Sequence, residues 1–265
     1  MINKICHVNG IDIAVEELGK GNKGLVLLIH GLTSSNLGTH PAADWLAEEY
    51  FVVNYDARGH GESTKPESYT LEDHARDVIA LIDYYGFEKA TVMGMSMGSY
   101  IAAAAAILAP ERVDKLVLAV TKGHGETSST QRLLKSMGLT LDDVTQNQLM
   151  ELLNNALWAP TTPRAYRDYY NKLEAAAASR LTNEQKLAVD AALAGFDLRP
   201  YYHRVTAKTL LIAGRHDGIN PCEQAQEVAD LIPGSKIVYL EESGHQALRE
   251  EPLKYCRALM SFLAE

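Results

Sequence analysis

Apolar and polar residues alternate at the start of the chain, over residues 5–8 and 11–15, on either side of Asn9-Gly10. Both positions of that dipeptide accept positive φ, as a type I′ turn requires, so the pattern predicts an opening β-hairpin. The next apolar runs, at 25–29, 51–53, 90–93, 116–120 and 209–213, are continuous instead of alternating. A strand reads this way when both of its faces are buried. Between these runs, 42–49, 71–85, 99–108 and 223–231 repeat apolar residues at helical spacing. Strand alternating with helix in this order predicts a parallel sheet covered on both faces. A strand at 236–240 and a helix at 252–263 complete the α/β pattern.

Residues 122–205 interrupt that alternation. They contain no strand pattern, and their amphipathic stretches are separated by Pro, Gly and Thr. Leu133, Leu134 and Met137 share one helical face and Leu149, Leu152, Leu153 and Ala156 another, while Pro163 and Thr182 stand where later helices begin. The organisation expected is a core of residues 1–121 and 206–265 with a helical cap, or lid, inserted at 122–205.

Composition changes the picture mainly by exclusion. A length of 265 residues, 46% apolar and 22% charged, suits one globular domain with an insertion. The net charge of −9 offers no basic patch to phosphate backbones or anionic lipid, so no nucleic-acid partner is expected. No run of about 18 apolar residues is present to span a bilayer, and the first residues lack the apolar core of a secretory signal. A cytoplasmic protein without a membrane partner is expected. Cys6, Cys222 and Cys256 are widely separated and in no CxxC or Cys/His zinc spacing, so neither a disulfide framework nor a structural metal is expected.

Candidate chemistry begins where the apolar run 90–93 passes through Gly94-Met95-Ser96-Met97-Gly98 into an alanine-rich helical segment. Strand, sharp turn and helix form the context of a nucleophile elbow, in which glycines relieve the close approach of strand and helix and the serine is strained and exposed. The helix that follows aims its free N–H groups at the same point. A serine hydroxyl needs a neighbouring base, most often a histidine oriented by a carboxylate. Of the nine histidines, His245 lies just after the last strand, from where it can reach back over the strand ends to Ser96. His30, His60 and His216 lie in loops on the same side and are its rivals, whereas His74 falls on a helix and His7 on the hairpin. Asp217 follows the 209–213 strand through a short loop that turns its carboxylate toward the same edge.

Four segments together resemble the α/β-hydrolase fold superfamily over essentially the whole chain. They are His30-Gly31-Leu32, the run Asp56-Ala57-Arg58-Gly59-His60-Gly61-Glu62-Ser63, the Ser96 elbow, and Gly214-Arg215-His216-Asp217 with Ser243-Gly244-His245. The resemblance implies a triad in the order Ser96, Asp217, His245, and an oxyanion hole from the N–H groups of Leu32 and Met97. It also implies that His30 packs and hydrogen-bonds beneath the oxyanion loop. The Asp56–Ser63 run reads as a structural turn in which Asp56 and Arg58 hydrogen-bond the loops that carry the site. Some relatives place their acid after the strand ending at Val120, but there Glu126 is the first carboxylate, and Asp217 is preferred.

Ser96 at the elbow, instead of aspartate, sets aside haloalkane dehalogenases and epoxide hydrolases. Carbon–carbon hydrolases of this fold typically carry Asn before the nucleophile and Trp after the histidine, where this chain has Met95 and Gln246. Haloperoxidases and perhydrolases commonly carry an aromatic residue at Leu32. The expectation is a serine esterase acting on a small ester, thioester or lactone through an acyl-enzyme, without cofactor. A carbon–carbon hydrolase and a triad-bearing small-ligand receptor are the alternatives. Met137, Leu153, Leu157, Trp158 and Tyr169 are candidate pocket residues, and an apolar pocket favours uncharged acyl groups of short to medium length. Arg132, Lys135, Arg164, Arg167 and Lys172 are expected on solvated helical faces; one pointing inward would instead pair with a substrate carboxylate.

Overall fold

The computed structural model describes residues 2–265. Its hairpin pairs β1 (Ile2–Val8) with β2 (Ile11–Leu18), and the turn holds Asn9 at φ 49° and Gly10 at φ 74°. With β3 (Lys23–Ile29), β4 (Tyr50–Tyr55), β5 (Ala90–Met95), β6 (Val113–Ala119), β7 (Lys208–Gly214) and β8 (Lys236–Leu240), it forms one sheet. The order is β1-β2-β4-β3-β5-β6-β7-β8, antiparallel as far as β4 and parallel beyond it. The chain turns outward to β4 on one side of β3 and to β5 on the other. The loops after β3 and β5 therefore diverge, leaving a crevice at the carboxyl ends of the strands.

The continuous apolar runs are explained by which way successive side chains point. Val26 and Leu28 enter one core with Leu46 and Leu259, from α1 (His40–Ala47) and the last helix, whereas Leu27 and Ile29 enter the other. That second core is closed by Leu81, Ile101 and Val228, from α2 (Leu71–Tyr84), α3 (Met97–Leu108) and a helix before β8. Each fully buried aliphatic side chain contributes about 1.5–3 kcal/mol.

Between β6 and β7 lie α4 (Ser129–Ser136), α5 (Gln146–Ala156), α6 (Arg164–Ala177) and α7 (Asn183–Leu193). Capping boxes start three of them, at Ser128/Gln131, Thr145/Gln148 and Thr182/Gln185, and Pro163 precedes α6. The remaining helices are α8 (Cys222–Leu231), α9 (Ala247–Glu250) and α10 (Pro252–Leu263). The boundary expected at residue 205 lies too far along the chain. Tyr202 and Val205 are buried in the main core, with Phe196 and Leu198 packed against it, so these apolar side chains bring the segment back to the sheet before β7 begins. No helix is long and apolar enough to cross a membrane among the described residues.

Candidate active site

At the end of β5 the chain has no room for side chains beside Ser96. A Cβ on Gly94 would lie 2.0 Å from the Gly98 carbonyl oxygen, and one on Gly98 would lie 2.3 Å from that of Ile29. The glycines let α3 start directly after the strand, with Ser96 at φ 51° and ψ −118°. Such a conformation costs a non-glycine residue of order 1–3 kcal/mol and persists only where neighbours over-determine it. Here the Ser96 N–H donates to the Ala119 carbonyl at 2.9 Å, and the Ser99 hydroxyl donates to the Ser96 carbonyl at 2.6 Å.

The loop after β8 carries His245 to this serine. Its Nε2 lies 2.9 Å from Ser96 Oγ and its Nδ1 lies 2.7 Å from Asp217 Oδ2. The carboxylate accepts a hydrogen bond from the Nδ1–H, which leaves Nε2 as acceptor for the serine hydroxyl. The other Asp217 oxygen accepts the Ile219 and Asn220 N–H groups, both at 2.8 Å, so the acid is fixed before any substrate arrives. Asp217 is 5% exposed and His245 8%.

The loop after β3 lies against the same point: a Cβ on Gly31 would sit 3.6 Å from that of Ser96. Leu32 and Met97 both face the adjoining cavity. The Met97 N–H lies in the first turn of α3, where no intrahelical carbonyl reaches it. His30 lies beneath this loop, its Nδ1 donating to the Gly31 carbonyl at 2.7 Å and its Nε2 accepting the Ala57 N–H at 3.1 Å. Burial pushes His30 down to about 4 and His60 down to about 3. His60 stacks edge-on against His30, and His216 is exposed, so none of these rivals reaches the serine.

Asp56 holds the loops as expected, accepting the N–H groups of Asn36 at 2.7 Å and Glu62 at 2.8 Å. Arg58 does not. It pairs with Asp77 of α2, because that buried carboxylate offers both oxygens to the guanidinium. Of the apolar candidates, Leu153 and Leu157 line the cavity. Trp158 is buried, with its indole N–H donated to Asn171, while Met137 and Tyr169 are exposed. Arg132 departs from the expectation of a solvated face: it is half-buried and donates to the Ile219 carbonyl and to Ser129.

Four further residues shape the site. The Asn220 amide donates to the Tyr100 hydroxyl at 2.7 Å and to the Val120 carbonyl at 2.8 Å, tying the acid's loop to α3 and to the end of β6. Glu250 accepts the Gly244 N–H at 2.7 Å and the Ala159 N–H at 2.8 Å, joining the histidine loop to the insertion. The fourth, Lys122, is buried in the cavity wall. Its one sequence signal is a charge directly beyond a continuous apolar strand; Asn220, Tyr100 and Glu250 have none, since their partners are remote in the chain. The cavity measures about 860 Å³ and includes Ser96, His245 and residues of the insertion. A smaller depression of about 470 Å³, beside Arg215 and Tyr239, includes none of Ser96, Asp217 and His245.

The alpha/beta hydrolase fold model matches residues 24–252, and the chain belongs to that family. It is 29% identical to 3-oxoadipate enol-lactonase 2 of Acinetobacter baylyi, over 85% of each chain. It is 25% identical to the pimeloyl-[acyl-carrier protein] methyl ester esterase of Aliivibrio fischeri, over 92% of this chain and 95% of the relative. Among solved structures, the enol-lactonase of Burkholderia xenovorans superposes with a TM-score of 0.81 at 25% identity, covering 99% of this chain and all of that one.

Proposed function

We propose that the chain is a serine hydrolase cleaving carboxylic esters, lactones and thioesters included, through an acyl-enzyme. The observation that carries this reading is the continuous relay Asp217–His245–Ser96 at 2.7 and 2.9 Å, ending on a serine held in a strained turn. Ser96 Oγ attacks the carbonyl carbon as its proton passes to His245 Nε2, and Asp217 stabilises the imidazolium. The Leu32 and Met97 N–H groups receive the oxyanion at the amino end of α3. His245 returns its proton to the leaving oxygen or sulfur, then activates a water that releases the acyl group. A lactonase and an esterase among the relatives support acyl transfer.

Ser96→Ala and His245→Ala are each expected to lower kcat by about four to six orders of magnitude, and Asp217→Asn by about four. A fluorophosphonate should label Ser96 in the wild type. Undiminished turnover by purified Ser96→Ala, measured on a broad panel of esters, lactones and thioesters, would refute the assignment.

A further inference from the structure

Lys122 follows β6 at the carboxyl edge of the sheet and faces the cavity shared with Ser96 and His245. Only 6% of the residue is exposed. An ammonium has three protons to donate, and this one meets a single acceptor, the Ser129 hydroxyl at 3.2 Å. The rings of Tyr100 and Phe196 flank it at 5.7 and 5.9 Å. Among the described residues no carboxylate comes within 4 Å of its Nζ. Three carboxylates line the same cavity: Glu126 is held by Arg199 at 2.9 Å and His124 at 3.4 Å, Glu174 is held by Arg249 at 2.9 Å, and Asp190 forms no ion pair among the described residues, its carboxyl pushed up by burial toward the neutral form.

A second cation crowds the same place. Arg132 reaches the Ser129 hydroxyl at 3.3 Å, and its buried Nε has no partner. Ser129 donates its own proton to Asn220 at 3.1 Å, so its lone pairs face both cations. Burial, with Arg132 as the second cause, brings Lys122 down to about 8. A buried, unpaired charge is unfavourable in the free protein, and an anionic ligand relieves it.

We propose that Lys122 is the anion-binding residue of this pocket and that the substrate is an ester or lactone bearing a carboxylate. The proposal rests on the hydrolase reading above. Ser96 caps α3 and Tyr100 lies in its first turn, about 6 Å further along the axis. Lys122 lies over the Tyr100 ring, so a short chain of methylenes separates the substrate's carboxylate from its scissile carbonyl. Carboxylate and ammonium pair while the scissile carbonyl lies at Ser96, and the apolar walls hold the intervening methylenes.

The test compares monomethyl adipate with methyl hexanoate, and 4-acetoxybutyrate with butyl acetate, by pH-stat titration at neutral pH. In at least one pair, wild-type kcat/KM is expected to favour the carboxylate ester about tenfold. Lys122→Met should abolish that ratio, mainly through KM, and Lys122→Arg should restore most of it. Melting of free Lys122→Met at or above the wild-type temperature separates lost recognition from lost structure. Labelling of Ser96 by a fluorophosphonate without any carboxylate preference, or a ratio unmoved in Lys122→Met, overturns the subsite and leaves the hydrolase standing. Protein that is inert and unlabelled overturns the hydrolase. Calorimetric titration with monomethyl adipate then decides the subsite: binding lost in Lys122→Met supports it, and absence of wild-type binding refutes it.

Discussion

Acidification should destabilise this protein well before its carboxylates protonate, because three histidines are buried as neutral rings. His30 and His60 are fully buried and lie 5.1 Å apart between ring centroids, and His74 packs edge-on against Tyr69. A second proton on His30 would place an N–H against the Ala57 N–H that Nε2 now accepts. A second proton on His60 would lie on an Nε2 that has no partner. The folded values, about 4 and about 3, lie below the ordinary 6.5. The neutral rings therefore contribute their stability in full above about pH 6.5, and it is lost as the pH falls toward the folded values. At pH 5 the linkage relation gives a loss of about 2 kcal/mol for each ring, about 4 kcal/mol together, against a typical total of about 5–15 kcal/mol. Burial also holds His74 well below its ordinary value, which adds to the loss. Carboxylates held low, such as Glu17 and Asp73, act below about pH 4.5, whereas Asp77 and Asp190, pushed up by burial, act in the opposite sense, so the histidine share is read from the difference between wild type and a histidine variant. Urea unfolding followed by circular dichroism at half-unit steps from pH 7.5 to 5 measures the slope. His60→Asn, whose amide can still donate to the Arg58 carbonyl, should flatten it by about one histidine's share. A slope unmoved in His60→Asn would refute the argument.

Arg58→Met strands the buried Asp77 carboxylate and should cost about 3–5 kcal/mol in urea unfolding, most of it recovered in Arg58→Met/Asp77→Leu. No recovery in the double variant would show that the pair is not the cause. Glu250→Gln turns an acceptor into a donor facing the Gly244 or Ala159 N–H, so melting should reveal a loss of about 1–3 kcal/mol. Loosening of the His245 loop should also lower kcat/KM, by about tenfold, and unchanged kinetics would show that the loop holds its position without Glu250.

Much of the fold was legible because the sheet is buried on both faces and the helices on one. Continuous apolar runs can mean little else when they alternate with helical spacing, so the core strands and their parallel order followed from local pattern. Ser96 was legible for a similar reason: the clash that demands Gly94 is with Gly98 a few residues along the chain, although Gly98 is itself demanded by the close approach of Ile29 on β3. The structure brings His245 and Asp217 to that serine, yet they are 149 and 28 residues from their hydrogen-bonding partners. Residue pattern could propose that meeting only by analogy with a family. Tertiary structure alone decided that Arg58 turns to Asp77, that Glu250 joins the histidine loop to the insertion, and that the segment around Tyr202 belongs to the core. It alone decided where the charges of the insertion point. Helical periodicity assigns a lysine or arginine to a face, but whether that face meets water or a cavity depends on packing between segments far apart in the chain. For Lys122, which follows a strand, that packing placed an ammonium in the pocket without an anion.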